Sequence, residues 1–207
     1  MNTVLIVIPA AGASSRMRGR DKLLEEISGQ PLLARGVGRA LATGALVLVT
    51  LPPDRPARAA ALAGFAGSRL ITRVIDDAEE GMAASIRAAA RDAEGRDAAK
   101  QPGFLGLMVV PADMPELETE DFQKVIACFS SNPDAIARGC GADGTPGHPV
   151  IFPRRLFGAL AALTGDSGGR ALLEGEAIIP VPLPARHALT DLDTPEDWAA
   201  WRAGQNG

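Results

Sequence analysis

Three stretches of this chain, Thr3–Ile8, Ala45–Leu51 and Phe104–Val110, are almost entirely apolar and lack the alternation of polar and apolar residues that marks a half-exposed strand. Runs of this type and length are strands buried on both faces, which is the condition of a parallel sheet with helices above and below. Helical patterns fall between them: Pro31–Thr43 with Pro31 in its first turn, the Ala-rich Asp54–Ala63, Gly81–Ala93, and Glu118–Phe129. Met82, Ile86, Ala89 and Ala93 share one face of the third, and Phe122, Val125, Ile126 and Phe129 are expected inward on the fourth. Further strands are expected at Arg69–Ile75, Ala135–Arg138, His148–Phe152 and, at an edge, Ala177–Val181. Further helices are expected at Arg154–Leu163, Gly168–Leu173 and Pro195–Trp201, the last capped by Thr194, while the polar Asp92–Gly103 reads as a surface connection. Strands alternating with helices at this spacing predict an α/β fold: three αβα layers around a mostly parallel, Rossmann-like sheet. A length of 207 residues fits a single domain.

Composition excludes several classes of function. Hydrophobic residues at 46% and charged residues at 22% rule out a disordered chain. Aromatics at 4%, with no Tyr, argue against a stacking surface for single strands, and a net charge of −4 argues against a duplex-binding patch. No apolar run reaches the length of a membrane span, and the chain opens on a strand without a basic region or cleavage site. The expected setting is cytoplasmic, with neither nucleic acid nor membrane as partner. Cys128 and Cys140 form no metal or disulfide pattern and are expected as small buried residues, and His187 is expected at the surface.

In a parallel sheet, ligands collect at the carboxyl ends of the strands. The loop after the first strand runs from Pro9 through Ala10, Ala11, Gly12 and Ser14 to Lys22, with Arg16, Arg18 and Arg20 between. Small residues let backbone N–H groups approach an anion, and a basic cluster neutralises it, so the loop suits a polyphosphate. It is neither a Walker A loop nor a Gly-x-Gly-x-x-Gly fingerprint, and Gly36-Val37-Gly38 falls inside a helical pattern. Lys22 stands out because only Lys22, Lys100 and Lys124 are lysines among 21 basic residues, and a compact ammonium suits a single phosphoryl contact. Asp113, framed by Pro111 and Pro115 at the end of the most apolar strand, needs a partner there, and a divalent cation shared with phosphates is a natural one. Gly81 opens a helix that offers the hydroxyl of Ser85. Gly147-His148-Pro149-Val150-Ile151-Phe152 and Gly165-Asp166-Ser167-Gly168-Gly169-Arg170 complete the set of Gly-rich segments. Near the end, Thr194, Pro195 and Glu196 form an ordinary helix start, whereas Asp191 and Asp193 before it are not needed for capping.

Ala10-Ala11-Gly12-x-Ser14-x-Arg16-Met17, with a Gly and then Lys22, resembles the signature of nucleotidyltransferases with a Rossmann-like, glycosyltransferase A-type fold. Within that group the chain is most similar to molybdenum cofactor cytidylyltransferases and their relatives, in ordered motifs from Leu5 to Trp198. Its loop is one residue longer than is usual there, with Arg18 inserted before Gly19. The resemblance implies a sheet of the nucleotide-diphospho-sugar transferase type, with a nucleotide-binding part at about 1–115 and an acceptor-binding part at about 116–207. It implies that Ala10, Ala11, Gly12, Ser14, Arg16, Lys22, Gly81, Ser85 and Asp113 bind the nucleotide, with Arg16, Lys22 and Asp113 catalytic. Asp113 would hold Mg2+, with Mn2+ as an alternative, together with Asp191 or Asp193; His148, Gly168 and Arg170 would border the acceptor. The implied reaction moves CMP from CTP to the terminal phosphate of the molybdenum–molybdopterin cofactor and releases pyrophosphate, with a molybdoenzyme or its maturation factor as a protein partner. Ala11, where guanylyltransferases of this type carry Gly, points to CTP. The alternatives are GTP, a sugar or polyol phosphate acceptor, or a non-catalytic cofactor chaperone.

Overall fold

The structure, a computed structural model, describes residues 3–65, 67, 69–77, 80–98, 103–165 and 169–205. Its centre is β1 (Val4–Pro9), whose residues Val4–Ile8 are at most 2% exposed. Alternate side chains serve opposite faces. Val4, Ile6 and Ile8 pack into one apolar core, and Leu5 and Val7 into another. This two-sided burial is the reason the run shows no alternation in the sequence.

β4 (Leu46–Leu51) pairs parallel with β1, and β5 (Leu70–Val74) parallel with β4. The chain then crosses through α3 (Met82–Ala98) to β6 (Gly106–Val109), which pairs parallel with the other side of β1. β8 (Pro146–Pro153) runs antiparallel to β6 and to β7 (Ile136–Cys140), and β9 (Ile178–Pro182) closes the edge parallel to β7. The sheet order is β5-β4-β1-β6-β8-β7-β9, mostly parallel as the apolar runs require. One face carries α1 (Leu32–Ala42) and α4 (Thr119–Ser131), through Leu33, Val37, Phe122, Val125 and Phe129. The other carries α3 and the short α5 (Phe157–Ala161), through Ile86, Ala89, Ala93, Phe157 and Leu160. Order reverses at β1 and β6, so the loops leaving these two strands open into one crevice.

Several local expectations need correction. α3 continues to Ala98, through part of the segment read as a connection: polar residues there mark the solvent side of a helix whose Ala93 remains fully buried. Met82, expected on its inner face, is 36% exposed. A two-stranded ribbon, β2 (Glu26–Ile27) and β3 (Gln30–Pro31), was not expected; Ser28 and Gly29 turn it with φ of 52° and 78°. Arg154–Leu156 is a 3-10 turn before α5, and only Arg170–Leu173, also 3-10, forms where a helix from Gly168 was expected. Gly168 lies outside the described residues. His187 is not a free surface residue, since its Nδ1 lies 2.7 Å from Oδ2 of the buried Asp121. Cys140 is buried and Cys128 only partly so.

Candidate active site

The loop after β1 owes its shape to residues outside it. Ala10 is buried in the core, and Ala11 packs with Ile75 and Ala84 at the foot of α3. Arg58 of α2 (Pro56–Ala61) is fully buried beneath the loop. Its guanidinium donates to the carbonyls of Ala10 (2.6 Å) and Gly12 (2.8 Å), to Ser14 Oγ (3.0 Å), and to both oxygens of Asp21 (2.8 and 2.9 Å). Asp21 in turn accepts from Leu23 N at 3.1 Å and starts the 3-10 turn that carries Lys22. One buried fork therefore ties the start of the loop to its end. Although Asp21 is partly desolvated, Arg58, Leu23 N and Arg55 hold its carboxyl below the ordinary value. Ser14 adopts a left-handed conformation with its hydroxyl engaged by Arg58 and Asp21. Neither Arg58 nor Asp21 was singled out in the sequence. A lone Arg in an Ala-rich helix carries no signal of burial.

A second anchor is Met17, fully buried against Leu32, Leu192 and Trp198 of the C-terminal helix α6 (Pro195–Gln205). It brings the basic run against the segment before α6. That segment is pinned by Leu192 N, which donates to Asp113 O at 3.1 Å, and by the reciprocal cap of Thr194 and Asp197. Lys22 Nζ consequently sits 2.5 Å from Asp113 Oδ2 and 2.6 Å from Asp193 Oδ1. Arg16 pairs with the other oxygen of Asp193. Arg18 turns to Glu196 at 2.6 Å and Arg20 to Glu25 at 3.1 Å, so the basic run divides its partners.

Asp193 is thereby joined to Asp113 through a shared ammonium. Asp191 lies near enough that partial desolvation, then repulsion from Asp113 and from Asp193, raises its carboxyl above the ordinary value. Burial works against the charge of Lys22, but Asp113 and Asp193 outweigh it and hold the ammonium above the usual lysine value. Among the described residues no group of three acidic, His or Cys side chains is arranged to hold a metal. The locus nevertheless offers only hard oxygen donors, and its Asp113, Asp191 and Asp193 outnumber the cations Lys22 and Arg16. Both features fit a divalent cation that takes few protein ligands and completes its shell with phosphate and water.

Pro9, Gly12, Lys22, Gly81, Ser85 and Asp113 line a cleft of about 150 Å³ at the reversal of strand order. Gly81 takes φ of 66°, which favours glycine, and the Glu80 before it is tied by Arg87 at 2.9 Å. Ser85 reaches the cleft but accepts from Thr50 Oγ1 at 2.8 Å. A wider cavity of about 790 Å³ continues from Met82, which it shares with this cleft, to His148, Arg170 and Arg138, the last not foreseen. Burial, and then Arg138, lower the His148 imidazole to about 4 against the opposing pull of Asp113, so the ring is neutral near pH 7.

Residues 6–181 match the MobA-like NTP transferase domain. A relative from Natronomonas pharaonis, a probable molybdenum cofactor guanylyltransferase, is 29% identical over 92% of this chain and 93% of its own. The crystal structure of Rv0371c from Mycobacterium tuberculosis H37Rv is 25% identical, with a TM-score of 0.76 over 97% of this chain and 98% of its own. A manganese complex of Rv0371c superposes with a TM-score of 0.71 at 24% identity, covering 96% of this chain and 97% of its own.

Proposed function

The chain belongs to the MobA-like NTP transferase family and is a nucleotidyltransferase, and from that premise we propose that it moves CMP from CTP to the terminal phosphate of a molybdenum–molybdopterin cofactor, with pyrophosphate as the second product. The observation that carries this reading is the single ammonium, Lys22 Nζ, within 2.6 Å of both Asp113 and Asp193 at the mouth of the cleft. An oxygen of the acceptor phosphate attacks the α-phosphorus in line, the bond from that phosphorus to the bridging oxygen breaks, and pyrophosphate leaves. The attacking phosphate is already ionised, so no general base is required, and the protein acts by positioning and by neutralising charge.

Each group has an assigned task. Ala10, Ala11 and Gly12 present the loop backbone to the phosphates; Ser14 holds the loop in shape; Arg16 and Lys22 neutralise the departing pyrophosphate. Asp113, with Asp193 or Asp191, would hold Mg2+ or Mn2+, which would supply Lewis-acid charge for the phosphates. Gly81 and Ser85 border the nucleoside. His148, Gly168 and Arg170 border the acceptor. Residues 1–115 thus carry most nucleotide contacts and residues 116–207 most acceptor contacts, with Asp193 crossing between them.

Choice of CTP rests on Ala11, where guanylyltransferases of this type carry Gly; its methyl group packs with Ile75 and Ala84 where the loop meets α3. The relative from Natronomonas pharaonis, named for guanylyl transfer, favours GTP as the second reading. The test offers CTP, GTP, ATP and UTP with Mg2+ and molybdopterin cofactor and follows pyrophosphate. We expect CTP to be preferred and Lys22→Ala and Asp113→Ala each to lose about 10²-fold or more. Faster release from GTP sinks the CTP assignment; full activity in both variants sinks the site.

A further inference from the structure

The cleft and the wide cavity share one wall. Met82, at the start of α3, lines both, with Gly81 beside it in the cleft and Ile86 in the wide cavity. The same helix carries Arg87, only 8% exposed on an element buried through Ala83, Ala84, Ile86 and Ala90. A charge is costly in such a place unless its donors are matched. Here they are. Nη1 donates to Glu80 Oε2 at 2.9 Å and to Leu163 O at 2.6 Å, while Nη2 pairs with Asp77 Oδ2. Both carboxylates are half-exposed, so the acids reach inward to the arginine.

These partners belong to different parts of the site. Asp77 and Glu80 stand between β5 and α3, just before Gly81 of the cleft. Leu163 lies just beyond α5, and from it the chain runs on to Gly169, Arg170 and Leu173, which line the wide cavity. One nitrogen atom therefore bonds both segments. A guanidinium is planar and rigid, so displacing one of its acceptors turns the group away from the other. Arg58 differs, because its partners Ala10, Gly12, Ser14 and Asp21 all lie in the single loop after β1.

We propose that Arg87 is a positioning residue that couples the two cavities. A nucleotide settling against Gly81 fixes Glu80, Glu80 fixes the guanidinium, and the guanidinium fixes the carbonyl of Leu163 and the segment that continues into the wide cavity. Binding in either cavity then strengthens binding in the other by the same factor. This rests on the transferase reading, in which the cleft takes the nucleotide and the wide cavity the acceptor, and Arg87 touches neither substrate.

Amide hydrogen exchange tests the coupling, because one amide on each side is held by a hydrogen bond: Glu80 N to Asp77 O at 3.0 Å and Leu172 N to Gly169 O at 3.1 Å. Saturating CTP with Mg2+ should slow exchange at both in the wild-type protein, by about fivefold at Leu172. In Arg87→Met we expect slowing at Glu80 alone. Arg87→Lys keeps a charge for Asp77 and Glu80, but an ammonium cannot span to Leu163 as well. It should fold, likewise lose the slowing at Leu172, and keep the test open if Arg87→Met does not fold. Slowing at Leu172 that survives in either folded variant, or that is missing from the wild-type protein while Glu80 slows, overturns the coupling. Failure of the transferase reading looks different: neither CTP, GTP, ATP nor UTP then slows Glu80 in the wild-type protein, and the coupling falls with it.

Discussion

Arg58 shows how one side chain can hold a functional loop without touching the substrate. Its guanidinium is fully buried and satisfies two loop carbonyls, one hydroxyl and a carboxylate. Arg58→Met would strand those acceptors and leave Asp21 without its main counter-charge. We expect a loss of about 3 kcal/mol, seen in urea melts, with the KM for nucleotide rising more than kcat falls. Arg58→Lys should recover only part of both, because an ammonium cannot reproduce the fork. His148 carries the pH prediction. Its value of about 4 in the fold lies below the 6.5 of an unperturbed histidine. Between these values the unfolded chain binds a proton that the folded chain refuses. The contribution is therefore complete above about pH 6.5 and is lost as pH falls towards 4. His148→Gln should flatten that part of the stability profile; an unchanged acid limb in urea melts would contradict the assigned environment.

At the scale of elements, the C-terminal helix is the part whose role is least evident from its own sequence. Thr194 announces its start, and it forms the cap together with Asp197. Nothing local announces that Trp198 will bury itself against Met17 and so deliver Arg16 and Asp193 to the same place. Trp198→Ala should lose about 3–5 kcal/mol by opening a cavity. It should also raise the KM for nucleotide, since both ends of the Arg16–Asp193 pair hang on this cluster; an unaltered KM in the folded variant would separate helix from site. The ribbon of β2 and β3 escapes a sequence reading because strands of two residues carry no period, although Ser28-Gly29 is a turn signal in retrospect. α3 overran its expected end because a helix stops where capping and packing stop it, and Ala93 keeps it docked through the polar stretch.

For the whole molecule, reversal of strand order at β1 and β6 gathers residues 9–22 and 110–115 in one crevice, and a segment from the far end of the chain closes it. The net charge of −4 is accordingly uneven, with basic side chains of the loop set against the carboxylates of positions 113, 191 and 193. Removing divalent metal with a chelator should abolish pyrophosphate release, and Mg2+ or Mn2+ should restore it. CTP should raise the melting temperature appreciably only with metal present, by mass action on the folded state; equal stabilisation without metal would argue against a metal-bridged phosphate. No helix among the described residues is long and apolar enough to cross a membrane.

Periodicity and local chemistry settled much of this protein in one dimension. Apolar runs without alternation dictated a doubly covered parallel sheet, and the strand-end loop with Lys22, the Pro-framed Asp113 and the Thr194 cap were visible because each is a local pattern. Tertiary structure alone decided which of Asp191 and Asp193 shares Lys22, that Arg58 shapes the loop, and that Arg138 and Arg170 line one cavity. These depend on contacts between residues far apart in the chain, and such contacts leave no period in the sequence. They are fixed only when burial of the apolar faces brings strand ends, loop and C-terminal helix to one crevice.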